Sequence, residues 1–372
     1  MNKKINMKKV CVIFLSIVFI GIAAAAAGTL AAFRLNEPPA EEPRSAAGIV
    51  VSVDSAGIAG NDGNAGIAGI ARTSALVEIS EGESAISAGR RLERSGIIRS
   101  ALFWELLTRI KKEYIKTGTY KISLPATTVS IYRKLISGDE ILVSVTIPEG
   151  STLKKTAALW EKAGICGEED FIAAAGRADL LDKYRIDSPT MEGYLYPDTY
   201  HVPPAYPAEK IIMLMADTFF KRLESFGIDV TSMRPAELRQ TVILASIVER
   251  EYRAAEEAPV IAGVFRNRME IGMRLESCAT VEYVITEILG RPHPTRLWDR
   301  DTRIENPYNT YVNRGLPPGP IASPGEVALQ AAFAPQKSDY LFFRLVNADA
   351  GTHYFSRTFD DHIKAALLYV KG

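Results

Sequence analysis

The stretch QTVILASIVEREY, Gln240–Tyr252, decides how the rest of the chain is read. Just upstream, Pro235 suits the first turn of a helix, where its missing N–H would have been unpaired anyway. From Leu238 on, Val242, Ile243, Leu244, Ala245, Ile247 and Val248 nearly encircle the axis, the pattern of a core-buried helix. Glu249 follows, first of the charged run Glu249-Arg250-Glu251. A carboxyl at the inner edge of an apolar helix is costly to ionise, so it holds its proton more tightly than in water. General acids are tuned in this way. The plainer reading, which the helix taken alone favours, makes Glu249 the start of a solvated end. Glu251 is turned about 200° from Glu249 on a helix, and Glu251, Glu256 and Glu257 read as a solvated face.

Downstream, Pro259–Ile271 has helical spacing and Gly272 as its stop; Thr280–Leu289 reads as a further helix ended by Gly290. The loop Pro307–Gly325 (PYNTYVNRGLPPGPIASPG) is rich in Pro, Gly and Asn, so what it packs upon or binds must order it. A helix over Glu326–Phe333, strands at Tyr340–Val346 and His353–Ser356, and a last helix complete the chain. Upstream lies MEGYLYPDTY, Met191–Tyr200, with Pro197-Asp198 setting a turn. Its aromatics are what a sugar-binding cleft needs, and equally what a core needs.

A repeat organises the first half. Val77–Ile97 (VEISEGESAISAGRRLERSGI) and Val145–Ile165 (VTIPEGSTLKKTAALWEKAGI) match at 7 of 21 positions without a gap, including Glu81-Gly82 with Glu149-Gly150 and Gly96 with Gly164. Each copy reads as strand, turn and helix, one in each of two neighbouring modules. Between them come an amphipathic helix (Ala101–Lys112), a strand from Gly118, a short helix (Thr128–Ser137) and a strand (Ile141–Ile147). This small α+β arrangement is similar to a LysM-like glycan-binding module; a purely structural lead-in domain is the competing reading.

The chain carries 44 basic and 44 acidic side chains in 372 residues, so its charge makes no case for nucleic acid, and its length suits two or three domains. Lys3, Lys4, Lys8 and Lys9 precede the 24 uncharged residues Val10–Phe33, enough to cross a bilayer as a helix with the N-terminus in the cytoplasm. A cleaved signal peptide is the rival reading. Either way the rest lies outside the cytoplasm, where Cys166 and Cys278 make no disulfide framework and read as unpaired. The expected organisation is a cytoplasmic start (1–9), a transmembrane helix (10–33), a flexible linker (34–73), a LysM-like α+β module (74–144) and a mixed α+β catalytic domain (145–372) built on the central buried helix.

Taken together, EGYLYPDTY (Glu192–Tyr200), LASIVERE (Leu244–Glu251), VFRNRMEIGMRLES (Val264–Ser277), TVEY (Thr280–Tyr283), YNTY (Tyr308–Tyr311) and GLPPGPIASPG (Gly315–Gly325) resemble the MltG (YceG-like) family of endolytic murein transglycosylases. The resemblance runs from about Val77 to the end. It implies a membrane-anchored enzyme of the inner membrane that cuts nascent peptidoglycan strands internally, beside cell-wall synthases such as penicillin-binding proteins, without metal or cofactor. The family's catalytic glutamate falls on Glu249. One departure stands out: Cys278-Ala279 replaces the Asp-Pro usual before Thr-Val, leaving any positioning role of that Asp without a carrier.

Cleaving a β-1,4 bond next to N-acetylmuramic acid needs a proton on the leaving oxygen and stabilisation of an oxocarbenium-like centre; hydrolases generally bring two carboxylates. The resemblance implies that Glu249 protonates the departing sugar and then acts as base while the C6 hydroxyl closes a 1,6-anhydro ring. Tyr308, Asn309, Thr310 and Tyr311 are candidates for holding the sugar's amide and hydroxyls, with Ser246 and Thr280 completing the substrate-binding set; loop packing competes with that role. The four histidines lack the HExxH spacing of a zinc peptidase, and neither a G-x-S-x-G elbow nor a phosphate-binding glycine loop is present. Two alternatives stay open: a muramidase-type hydrolase with Asp198 or Glu276 as second carboxylate, and a non-catalytic wall-binding scaffold.

Overall fold

The computed structural model describes residues 28–40, 43–45, 49–54 and 72–369. The chain is a mixed α+β protein that divides into two compact units, one ending at Leu142 and the other beginning at Val143.

In the first unit an antiparallel sheet of β1 (Ile49–Asp54), β2 (Arg72–Ile79) and β3 (Gly118–Leu124) runs in that spatial order, Val77 facing Ile49 on one side and Tyr120 on the other. Helices α1 (Ala85–Arg94), α2 (Ala101–Lys111) and α3 (Thr128–Ser137) complete it. Its core is closed by Val77, Leu92, Trp104, Tyr120, Tyr132 and Leu135. Trp104 meets Tyr132 edge-on at 5.3 Å and donates its indole N–H to the Ala85 carbonyl.

Part of the stretch expected to be a linker, Ile49–Asp54, forms a strand of this unit. Ile49 is buried in the core and its strand completes the sheet edge. The Asn36 side chain accepts from the Val129 N–H at the start of α3, and Arg99 donates to the Arg34 carbonyl and pairs with Glu37. Composition pointed to a tether, but one buried isoleucine and a free strand edge outweigh the entropy of ordering a short segment. Most of the expected transmembrane segment, residues 10–27, lies outside the described residues, and no described helix is long and apolar enough to cross a membrane.

The second unit begins with β4 (Val143–Thr146), which pairs antiparallel with β5 (Thr199–Val202). Between them come α4 (Leu153–Lys162), α5 (Glu168–Ala175) and α6 (Ala178–Lys183). Then follow α7 (Ala208–Ser225), α8 (Pro235–Glu251), α9 (Ala258–Glu270), α10 (Cys278–Tyr283) and α11 (Glu326–Phe333). The chain closes with the hairpin β6 (Phe342–Asn347) and β7 (Thr352–Ser356) and helix α12 (Phe359–Lys364).

The repeat is structural as well as sequential. Ser84 caps α1 by accepting from the Ser87 N–H, and Thr152, 68 residues on, caps α4 by accepting from Lys155. Gly82 and Gly150 take left-handed φ of 77° and 71° in the turns; Gly96 and Gly164 do so at 67° and 70° after the helices. The next residue's N–H then reaches back in both copies, Ile97 to Leu92 and Ile165 to Trp160.

Helix α8 is the axis of the second unit. Pro235 sits in its first turn, every residue from Val242 to Val248 is buried, and α9, α10 and α11 pack against it. The aromatics of Met191–Tyr200 are core: Tyr194, Tyr196 and Tyr200 are buried, Tyr194 edge-on to Phe219 and Tyr200 beside Trp160. Arg268 of α9 is buried and donates to the carbonyls of Leu341, Arg274 and Leu275, tying the turn after α9 to the C-terminal hairpin.

Candidate active site

At the C-terminal end of α8, Glu249 leaves the apolar stripe but not the protein. Its Oε2 accepts from the Gly325 N–H at 2.9 Å, at the start of α11. Its other oxygen has no hydrogen bond from the described residues. Burial pushes the carboxyl up to about 7, the nearby Glu149 carboxylate adds to the rise, and the Gly325 N–H and Arg250 oppose it. Burial raises the phenol of Tyr252, just past the helix, and both carboxylates add to the rise. The raised carboxyl of Glu249 can therefore hold a proton closer to neutral pH than an exposed glutamate, and the unengaged oxygen can deliver it.

The loop that supplies Gly325 is fixed by α8 and by the turn of the second repeat copy. Ser246, fully buried, donates its hydroxyl to Ile243 and accepts from the Ile321 N–H at 3.0 Å. Ser323 accepts from Gly150 at 2.9 Å and donates to the Ser151 carbonyl at 2.8 Å. These bonds hold the strand-turn residues Glu149–Ser151 against the loop that ends at Gly325.

Four of the six residues expected to bind substrate, Ser246, Thr280, Asn309 and Thr310, are buried in this scaffold. Asn309 is wholly buried; its amide donates to the carbonyls of Thr302 and Ile304 and accepts from the Tyr311 N–H. Thr280 and Thr310 are buried and meet hydroxyl to hydroxyl at 2.9 Å, and Thr310 also accepts from the Ser277 N–H. With Ser246, these four side chains have their polar atoms engaged within the protein and almost no surface to offer a sugar. Tyr308 and Tyr311 are half-buried: Tyr308 lies 5.1 Å from the Tyr283 ring, and the Tyr311 hydroxyl is 3.2 Å from the Cys278 sulfur. Neither donates a hydrogen bond to Glu249.

The acidic run after Glu249 is not the solvated face expected. Glu251 points away from Glu249 but bonds to the Ser277 hydroxyl, and burial raises it to about 7, with Glu282 adding to the rise. Glu257 accepts from the backbone and ring of His353, while Glu256 alone of the three is exposed. Periodicity gives the direction of a side chain but not what another segment lays over it. Glu192 is a further acid drawn into the interior. It is buried, both its oxygens accept from the Leu153 N–H at the start of α4, and desolvation lifts it to about 8.

Of the carboxylates weighed as partners for Glu249, Asp198 is paired with Arg222 at 3.1 Å and Glu276 lies 3.6 Å from Arg268. The acid beside Glu249 is Glu149, which sequence reading passed over although the Glu-Gly shared by both repeat copies marks it. A cleft of about 830 Å³ lies along the earlier turns of α8, lined by Arg239, Gln240, Ile243 and Leu244 with Arg266 and Pro318; Glu249 is not part of it. Among the described residues no three His, Cys, Asp or Glu side chains converge to hold a metal ion. Cys166 and Cys278 are free thiols, and burial pushes both up, so neither is activated as a nucleophile.

A carboxyl raised to about 7 at the end of a buried helix, held by one backbone amide and with a second acid near it, is the arrangement a general acid–base requires. The chain belongs to the YceG-like family, which it matches over residues 77–367. It is 28% identical over 323 residues to a Streptococcus pneumoniae serotype 2 protein named endolytic murein transglycosylase, covering 80% of this chain and 58% of that one. A Bacillus subtilis protein of the same name is 27% identical over 318 residues, covering 81% of this chain and 86% of the relative. The crystal structure of a yceG-like protein from Listeria monocytogenes shares 30% identity and a TM-score of 0.52, covering 79% of this chain and 99% of that one. The chain thus spans under three-fifths of the pneumococcal relative's length.

Proposed function

We propose that this chain is a peptidoglycan lytic transglycosylase that cleaves MurNAc-β-1,4-GlcNAc bonds inside glycan strands, with Glu249 as its single acid–base. The observation that carries this reading is the Glu249 carboxyl, buried enough to keep its proton near neutrality and held by the Gly325 amide. Relatives from two organisms, both named endolytic murein transglycosylase, support the substrate class. In the reaction the Glu249 proton passes to the leaving oxygen as the C1–O4 bond breaks. Glu249 then takes the proton of the C6 hydroxyl as that oxygen bonds to C1, so a 1,6-anhydromuramic end forms, no water is consumed and Glu249 ends protonated.

The reading includes a single-pass anchor over residues 10–33 with the remainder outside the cytoplasm, supported by the lysines before it and by the bare side chains of Leu30 and Phe33. It also includes a LysM-like glycan contact by the first unit, and action beside a cell-wall synthase that would terminate strand elongation. Mass spectrometry of uncrosslinked strands digested by the full chain tests the central claim. New ends should be anhydromuramic and one water lighter than reducing ends. Reducing muramic ends as the main product would establish a muramidase instead.

A further inference from the structure

The turn Glu149-Gly150 lies against the end of α8. This turn belongs to the repeat, yet in the first copy its counterpart is bare: a Cβ on Gly82 would meet nothing within 4 Å. In the second copy a Cβ on Gly150 would lie 3.5 Å from Arg250 Cδ and 3.8 Å from Glu249 Cγ, so the turn rests on the end of α8. Its backbone is clamped by the Ser323 bonds on both sides. Glu149 itself is exposed and makes no hydrogen bond or ion pair among the described residues.

The two carboxyl groups converge on one residue. Glu249 accepts the Gly325 N–H, and the Glu149 carboxylate lies over the Gly325 Cα so closely that a Cβ there would sit 1.9 Å from its Oε1. Gly325 has φ −83°, open to any residue, so a side chain there would displace the Glu149 carboxylate rather than strain the backbone. The start of α11 favours negative charge beside it.

We propose that Glu149 is the second functional carboxylate of this site, keeping the proton on Glu249 until the leaving oxygen takes it and stabilising the positive charge that develops at the anomeric carbon. This rests on the transglycosylase reading above and deepens it. Glu149 exchanges no proton and forms no bond: it stays a carboxylate while the Glu249 proton leaves and returns. The other charged or titratable groups near Glu249 are Arg250 on its own helix, which favours the ionised form, and the neutral phenol of Tyr252; Glu326 follows Gly325 as the first residue of α11. Removing the Glu149 charge therefore leaves Arg250 and the Gly325 amide opposed by burial alone.

The experiment compares pH–rate profiles of the full chain on uncrosslinked glycan strands, counting anhydromuramic ends. Glu149→Gln should lower kcat about tenfold with KM little changed, and should move the high-pH limb to lower pH. Glu149→Asp keeps the charge and should leave the limb in place. Gly325→Ala keeps the amide donor but puts a methyl where the Glu149 carboxylate lies, and should resemble Glu149→Gln. A wild-type rate and limb in Glu149→Gln would overturn the proposal, as would a loss of rate with an unmoved limb, the mark of a merely structural residue. Full activity in Glu249→Gln would overturn the underlying reading instead, whatever Glu149 shows.

Discussion

Glu249 gains its chemistry from the water it has lost. Desolvation lifts its carboxyl to about 7, and the group must be protonated to act as acid, so the rate should fall as pH rises through about 7. Glu249→Gln keeps the shape and the Gly325 bond but has no acidic proton, and should lose about 10²–10⁴ in rate with an unchanged melting temperature. Cys278 faces the Tyr311 hydroxyl at 3.2 Å. Burial holds its thiol up, so Cys278→Ser should keep most of the activity, serine being able to bond the same hydroxyl. A loss as deep as that of Glu249→Gln would assign the thiol a chemical role. The candidate acid was legible because six apolar neighbours lead up to it along one helix. Its companion Glu149 was not, because it stands a hundred residues earlier in a turn that reads the same in both copies.

At the scale of elements, helix α8 and the loop ending at Gly325 form one device. The sequence marked the loop as important by its Pro, Gly and Asn content but left open whether its polar side chains bind or pack. The structure shows Asn309 spending its whole amide on the loop. Asn309→Ala should strand the Tyr311 N–H and two carbonyls, costing about 1–3 kcal/mol of stability. Denaturant titration beside kinetics reads this directly: a raised KM at unchanged stability would restore Asn309 to the substrate-binding set. Glu251 and Glu257 were misread for a related reason. A helical period says which way a carboxylate points, whereas Ser277 and His353, which receive them, arrive from distant segments.

Across the whole molecule, the cost of burying acids sets how stability answers to pH. Glu192, inside the core of the second unit, binds its proton up to about pH 8, while an unfolded carboxyl releases it near 4.5. Between those values the unfolded state holds fewer protons than the native one, so native stability falls as pH rises across that window. Thermal melts from pH 5 to 9 should show this decline, and Glu192→Gln, which still accepts from Leu153, should flatten it. An unchanged slope would show that another buried acid, such as Glu251 at about 7, governs it.

The sequence by itself determined the mixed α+β class, the strand-turn-helix repeat with its caps and glycines, the buried helix Pro235–Glu251 and the candidate acid at its end. All of these are written in consecutive residues, through period, capping and turn chemistry. Only the tertiary structure decided that Ile49–Asp54 is a strand, that Ser246, Thr280, Asn309 and Thr310 are buried with internal hydrogen bonds, and that Glu149 and Gly325 close on Glu249. Those outcomes depend on which distant group satisfies each buried polar atom. The Gly325 amide reaches Glu249 across 76 residues of chain, and a local pattern carries no record of that approach.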